Sequence, residues 1–157
     1  MRAASATWTK VQLDRSPLLG TVDIEMPKGA PLLAVVDDDA DVRVALTRLV
    51  SSAGFAVETF ASGAEFLHSV SDHEPDCVVL DLHMPEMSGF DVQGALANGH
   101  PDLPVVVMTG HDTSETSARA LQMGAKVYLR KPINDEALLA AIGDAIGHAS
   151  TRTGEVR

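Results

Sequence analysis

Cysteine, cations and long apolar runs are all scarce in this sequence of 157 residues. Cys77 is the only cysteine, so no disulfide can form within the chain, and a reducing cytosol is the expected compartment. It stands in the apolar run Cys77-Val78-Val79-Leu80 and reads as a small buried core residue. Lys and Arg together number 12 against 22 Asp and Glu, a formal net charge of −10. Such a surface repels phosphate backbones, which argues against direct nucleic-acid binding. No stretch of about 18 apolar residues occurs, so no membrane span is expected. The first residues also lack the apolar core of a signal peptide. There is no internal repeat and no low-complexity tract. What remains is an ordinary globular balance, 45% hydrophobic and 22% charged, enough for one core in one domain.

Residues 1–30 differ in composition from the rest. They mix Ser, Thr, Gly, Pro and both charge signs, and read as a flexible N-terminal extension, either a linker or a docking arm. Within it, Thr21-Val22-Asp23-Ile24-Glu25-Met26 alternates polar and apolar, which allows a short extra strand. Residues 150–157 are polar and read as a disordered tail.

Between these ends, over residues 31–149, strand and helix patterns alternate five times. Leu32-Leu33-Ala34-Val35-Val36 is a short apolar run suited to a strand covered on both faces. Val42, Leu46, Leu49 and Ala53 follow at helical spacing, with Gly54 as the stop. Phe55–Phe60 reads as a strand, and Ser62 can cap a helix reaching Val70. Asp76–Leu80 is the third strand, and Phe90–Ala97 a helix closed by Asn98-Gly99. The fourth strand is Val105–Met108, followed by a helix from Ser114 to Met123 that ends at Gly124. Lys126–Arg130 is the fifth strand. Asn134 then caps a helix with Leu138, Ile142, Ala145 and Ala149 on one stripe. This alternation implies parallel βαβ units and a three-layer α/β sandwich. Ligands of such sheets bind beyond the carboxyl ends of the strands.

Asp37-Asp38-Asp39 follows the first strand, Asp81 the third, Thr109 the fourth and Lys131 the fifth. Each alone is a weak signal, because Asp and Thr cap loops and a Lys after a strand is usually solvated. Together they form a chemical set. Clustered carboxylates repel one another and recruit a cation, and an all-oxygen cluster suits Mg²⁺. A carboxylate beside such a cation can attack an activated phosphoryl group. The cation, an ammonium and a hydroxyl can then each stabilise one equatorial oxygen of the group in transfer.

Four segments carry a resemblance. Val35-Val36-Asp37-Asp38-Asp39, Leu80-Asp81-Leu82-His83-Met84-Pro85-Glu86-Met87-Ser88-Gly89, Met108-Thr109-Gly110-His111 and Arg130-Lys131-Pro132 together resemble a bacterial two-component response-regulator receiver domain. The Thr-Gly-His element is similar to the nitrogen-fixation-regulator-like subgroup. The resemblance implies a flavodoxin-like doubly wound (βα)5 fold with parallel sheet order 2-1-3-4-5. It implies Asp81 as phosphoacceptor, charged by a histidine kinase or a histidine phosphotransfer protein. Asp38 would bind Mg²⁺ directly, Asp37 through water, and the backbone carbonyl of His83 would complete the ligands with Asp81; Mn²⁺ could substitute. Lys131 would contact the phosphoryl group, aimed by a cis bond to Pro132, and Thr109 would swing in to bond it. Tyr128 would turn inward when Thr109 moves. The face formed by the fourth helix, fifth strand and fifth helix would report the change to a downstream protein, with the chain a monomer or a phosphorylation-promoted homodimer.

Plainer readings stand beside these. Tyr128 also fits a half-buried strand aromatic. Met84 and Met87 read as loop packing. His83 and His111, each two residues beyond a site residue, read first as exposed loop histidines. The sharper reading is that they tune the phosphoryl lifetime, with a pH dependence near an imidazole pKa of about 6.5. Three rival functions share parts of this pattern. In an aspartate-nucleophile phosphatase of the haloacid-dehalogenase type, position 41 would be Thr or Val but is Asp41, no acidic pair follows a further strand after Lys131, and there is no room for a cap domain. A calcium loop starting at Asp37 would need Gly and Glu where Val42 and Arg48 stand. A phosphorylation-independent interaction module shares the fold and stays open. With no output domain expected after residue 150, the chain would act by docking, by relaying phosphate or as a phosphate sink. It would not be an enzyme beyond its own phosphoryl transfer and autodephosphorylation.

Overall fold

In a computed structural model the described residues are 8–12, 23–27 and 29–152, with side chains described over 29–147. The element order is β1 (Trp8–Gln12), β2 (Asp23–Pro27), β3 (Leu32–Val36), α1 (Ala40–Ser52), β4 (Ala56–Phe60), α2 (Gly63–Val70), β5 (Cys77–Asp81), α3 (Gly89–Gly99), β6 (Val105–Thr109), α4 (Ser114–Gln122), β7 (Val127–Arg130) and α5 (Asp135–Arg152). The last five strands form one sheet in the order β4-β3-β5-β6-β7, all neighbours parallel. Numbered among themselves, these strands stand in the expected order 2-1-3-4-5.

Strand geometry explains why the central runs are apolar throughout. Alternate residues point to opposite faces, and both faces are covered. Leu33, Val35, Cys77, Val79, Val106 and Met108 pack with Leu46 and Val50 of α1 and with Leu138 and Ile142 of α5. Ala34, Val36, Val78, Leu80, Val105 and Val107 pack with Phe66 of α2, Val92 and Leu96 of α3 and Ala120 of α4. Cys77 sits in the first of these clusters, fully buried and free, and burial pushes its thiol up to about 12.

The caps read from the sequence are formed. Ser62 Oγ accepts from the Glu65 N–H at 3.1 Å, and Asn134 Oδ1 accepts from the Ala137 N–H at 2.8 Å. Gly54 and Gly124 close their helices at φ of 99° and 107°, where a side chain would be strained. One stripe is corrected. The buried face of α1 is Arg43, Leu46, Thr47 and Val50, and Ala53 is exposed. A cation can occupy that face because Arg43 Nη1 donates to the Asp37 carbonyl at 2.7 Å, satisfying the charge as it is buried.

Both ends of the chain depart from expectation. β1 pairs antiparallel with β2, Trp8 opposite Pro27 and Gln12 opposite Asp23. The strand expected near 21–26 therefore corresponds to β2. Its partner was not foreseen, because Trp8 and Val11 lie three apart rather than at a strand's period of two. The rest of the expected arm, residues 1–7, 13–22 and 28, lies outside the described residues. At the other end α5 continues to Arg152, three residues beyond the predicted boundary, and residues 153–157 lie outside the described residues. No described helix is long and apolar enough to cross a membrane.

Candidate functional site

The parallel register brings together groups that are far apart in sequence. Asp81 and Thr109 are the last residues of the adjacent strands β5 and β6. Asp37 and Lys131 directly follow β3 and β7. The three consecutive aspartates divide their work. Asp39 is the N-cap of α1, its side chain accepting from the Asp41 N–H at 2.9 Å. Asp37 and Asp38 join Asp81 in a cluster in which one carboxylate oxygen from each lies within 4.8 Å of the others.

Within the cluster Asp37 is fully buried and its oxygens are engaged. Oδ1 accepts from the Asp39 N–H at 2.8 Å, and Oδ2 accepts from Lys131 Nζ at 2.9 Å. Lys131 also reaches Asp81 Oδ2, at 3.5 Å. Asp81 is 3% exposed, with the His83 N–H donating to its Oδ1 at 3.3 Å. Burial first, and then the Asp37 charge, push the Asp81 carboxyl up to about 6, against the opposing pull of Lys131 and the His83 N–H. Burial pulls Lys131 down, but its hydrogen bond and attraction to Asp37, joined by Asp81, leave it raised. One ammonium thus faces three carboxylates, and it is bonded to Asp37 more closely than to Asp81. The deficit of positive charge and the all-oxygen donor set fit a divalent cation held by Asp37, Asp38 and Asp81.

Beside this acidic half stands a second group. Thr109 is fully buried, and its Oγ1 lies 2.8 Å from His83 Nδ1 while accepting from the His111 N–H at 3.0 Å. The His83 and His111 ring centroids are 4.4 Å apart, inclined at 51°. Partial burial, then His111 and Lys131, hold the His83 pKa below its ordinary value. That favours a neutral ring, and in the tautomer protonated at Nε2 its Nδ1 accepts the Thr109 proton. Further along the edge, Tyr128 Oη donates to Asp112 Oδ1 at 2.9 Å, and Arg130 Nη1 lies 3.4 Å from Asp112 Oδ2. Burial, then the Asp112 hydrogen bond and charge, push the Tyr128 phenol up to about 12. The Lys131–Pro132 bond is cis.

The family model of the response regulator receiver domain matches residues 33–143. The chain belongs to this family. TodT of Pseudomonas putida is 38% identical over 121 residues, covering 77% of this chain and 53% of TodT. NtrC of Escherichia coli, a DNA-binding transcriptional regulator, is 38% identical over 114 residues, covering 73% of this chain and 24% of NtrC. The chain therefore spans about half of one relative and a quarter of the other. A receiver domain structure from Clostridium thermocellum superposes with a TM-score of 0.73 at 30% identity, covering 76% of this chain and 97% of that one.

The receiver's loop after β5 shows how tightly the Asp81 end of the strand is built. A Cβ at Gly89 would meet the Asp81 carbonyl oxygen at 2.6 Å, so only glycine lets α3 start this close to the strand end. Met84 is buried, and Met87 packs against the same core beside Gly63, as loop-packing residues should. Tyr128 is half-buried, as expected, and its hydroxyl is tethered outward. His83 and His111 are exposed, as the plainer reading held. They are coupled to each other and to Thr109, which neither sequence reading foresaw. Arg43 and Asp112 were missed altogether. Arg43 had a signal, since 43, 46, 47 and 50 form a helical stripe; Asp112 had none beyond lying three residues after Thr109.

Proposed function

We propose that this receiver is a phosphoryl-accepting switch of a two-component system, with Asp81 as the phosphoacceptor. The observation that carries the reading is the Asp81 carboxylate itself. It is buried at the carboxyl end of the sheet's central strand, between two further carboxylates and a lysine.

In the proposed reaction an Asp81 oxygen attacks the phosphorus of a phosphohistidine on a histidine kinase or phosphotransfer protein. The new O–P bond makes an acyl phosphate, the N–P bond breaks, and the imidazole leaves with a proton from solvent. Water later cleaves the acyl phosphate and restores the carboxylate. Asp37, Asp38, Asp81 and the His83 carbonyl would hold Mg²⁺, or Mn²⁺ in its place. When bound, that cation offsets negative charge on the phosphoryl oxygens. Lys131 supplies a second positive charge and Thr109 a hydroxyl donor. The reaction ends on the protein's own side chain, so the chain is a switch rather than an enzyme acting on a separate substrate.

A covalent phosphate shifts the population toward the conformation that binds it more tightly. New charge-assisted bonds to Thr109 and Lys131 supply the difference. Tyr128 then leaves Asp112 and turns inward, changing the α4-β7-α5 face seen by a downstream protein or by a second copy of the chain. The acidic surface favours a protein partner over nucleic acid or membrane, in the cytoplasm.

Incubation with acetyl phosphate and Mg²⁺, followed by intact mass measurement, tests the reading. One added phosphoryl group that requires Mg²⁺ and is lost in Asp81→Asn supports it. No gain with Mg²⁺ bound, from acetyl phosphate or from a phosphorylated kinase, would leave a phosphorylation-independent module. A gain that survives in Asp81→Asn would move the acceptor to another residue.

A further inference from the structure

Thr109 has one hydroxyl proton and two claimants for it. Its oxygen accepts from the His111 N–H, its proton remains free to donate, and with the His83 ring protonated at Nε2 the acceptor within reach is His83 Nδ1 at 2.8 Å. Thr109 is fully buried, which denies the hydroxyl an easy exchange with bulk water. The His83 ring is steadied from the side by the inclined ring of His111. A phosphoryl group on Asp81 would bring only acceptor oxygens to this corner, and it would need the same proton.

We propose that His83 is a positioning residue, a latch that holds the Thr109 hydroxyl in the unphosphorylated protein and that the phosphoryl group must displace. The inference rests on the phosphoacceptor reading above. It assigns the His83 side chain a role separate from that of its backbone carbonyl, which any substitution retains. The latch opposes switching. Its removal frees the hydroxyl and tightens binding of the phosphorylated state's analogue, whereas a histidine that contacted the phosphoryl group directly would weaken binding when removed.

The test is titration of the full chain, loaded with Mg²⁺, with beryllofluoride as the acyl-phosphate analogue, followed by amide NMR. His83→Phe keeps a ring beside His111 but removes the acceptor. It is expected to bind about two- to tenfold more tightly, the span of one net hydrogen bond. His83→Ala, which removes the acceptor without adding bulk, is expected to agree with it. His83→Asn places an amide oxygen near the position of Nδ1 and is expected to return toward the parent affinity. In a Thr109→Val background His83→Phe should change nothing, because the shared proton is gone. Unchanged or weaker binding in both His83→Phe and His83→Ala would overturn the latch, as would equal tightening in the Thr109→Val background. If the parent chain itself fails to bind beryllofluoride, the phosphoacceptor reading falls and the latch falls with it.

Discussion

Leu80 and Asp81 are consecutive residues of β5 and both are buried, yet they belong to different kinds of environment. Leu80 lies in the apolar cluster that α2, α3 and α4 close over one face of the sheet, where every neighbour favours its presence. Asp81 lies at the strand's last position, desolvated beside Asp37 and Asp38 with one shared lysine. The sheet's body lowers the free energy of the fold, and its carboxyl edge gives some of that back. The difference shows where function is housed. A carboxylate proposed as a phosphoacceptor is here dry and crowded by like charge, which favours a bound cation, and only a well-packed body can hold it there.

Substitution at the two neighbours should have opposite signs. Leu80→Ala is expected to cost about 2–5 kcal/mol, the range for a fully buried leucine. Asp81→Asn is expected to stabilise the metal-free protein by about 1–2 kcal/mol at pH 7.5, after discounting for solvent screening. Paired urea or thermal melts would show both, and a destabilised Asp81→Asn would erase the contrast.

pH sharpens the same comparison. The folded carboxyl of Asp81 titrates at about 6, above its ordinary 3.8, so the folded state holds this proton more tightly than the unfolded state. Its contribution to stability is fully present below about 3.8 and is lost as pH rises through about 6. The advantage of Asp81→Asn should therefore be small at pH 4 and fully developed by pH 7.5. Mg²⁺ should narrow it at the higher pH by offsetting the repulsion. An advantage that is constant with pH would mean that charge is not its source.

Smaller effects test the switching half. Asp112→Ala removes the acceptor and the charge beside the phenol, and Tyr128 should titrate part of the way down from about 12 toward 10. Burial, the largest cause of the shift, would remain. Tyr128 is the only tyrosine, so absorbance titration reads it without assignment. An unmoved midpoint would show that the tether has no energetic weight. The least change is expected at Glu86, which sits at a φ of 69° in the loop leading from Asp81 to α3. Glu86→Asn should gain about 0.5–1 kcal/mol, because Asn tolerates the left-handed region better, and should leave phosphorylation unaltered.

Much of this was legible in the chain itself. Five apolar runs punctuated by Gly54, Gly99 and Gly124, with caps at Ser62 and Asn134, dictate alternating strands and helices through local sterics and hydrogen bonding. Aspartates, a threonine and a lysine placed just at or beyond those runs mark the site, because a parallel sheet collects its strand ends on one edge. The ladder between β1 and β2 was half legible, since Asp23–Pro27 alternates and Trp8–Gln12 does not.

What the sequence could not decide were the pairings. That Lys131 leans on Asp37, that Arg43 turns inward to the Asp37 carbonyl, that His83 meets the Thr109 hydroxyl and that Asp112 holds Tyr128 are contacts between groups 6 to 94 positions apart. Residue type and periodicity reflect forces within a few residues. Which donor meets which acceptor depends on distances fixed only when the sheet and its two layers of helices are packed.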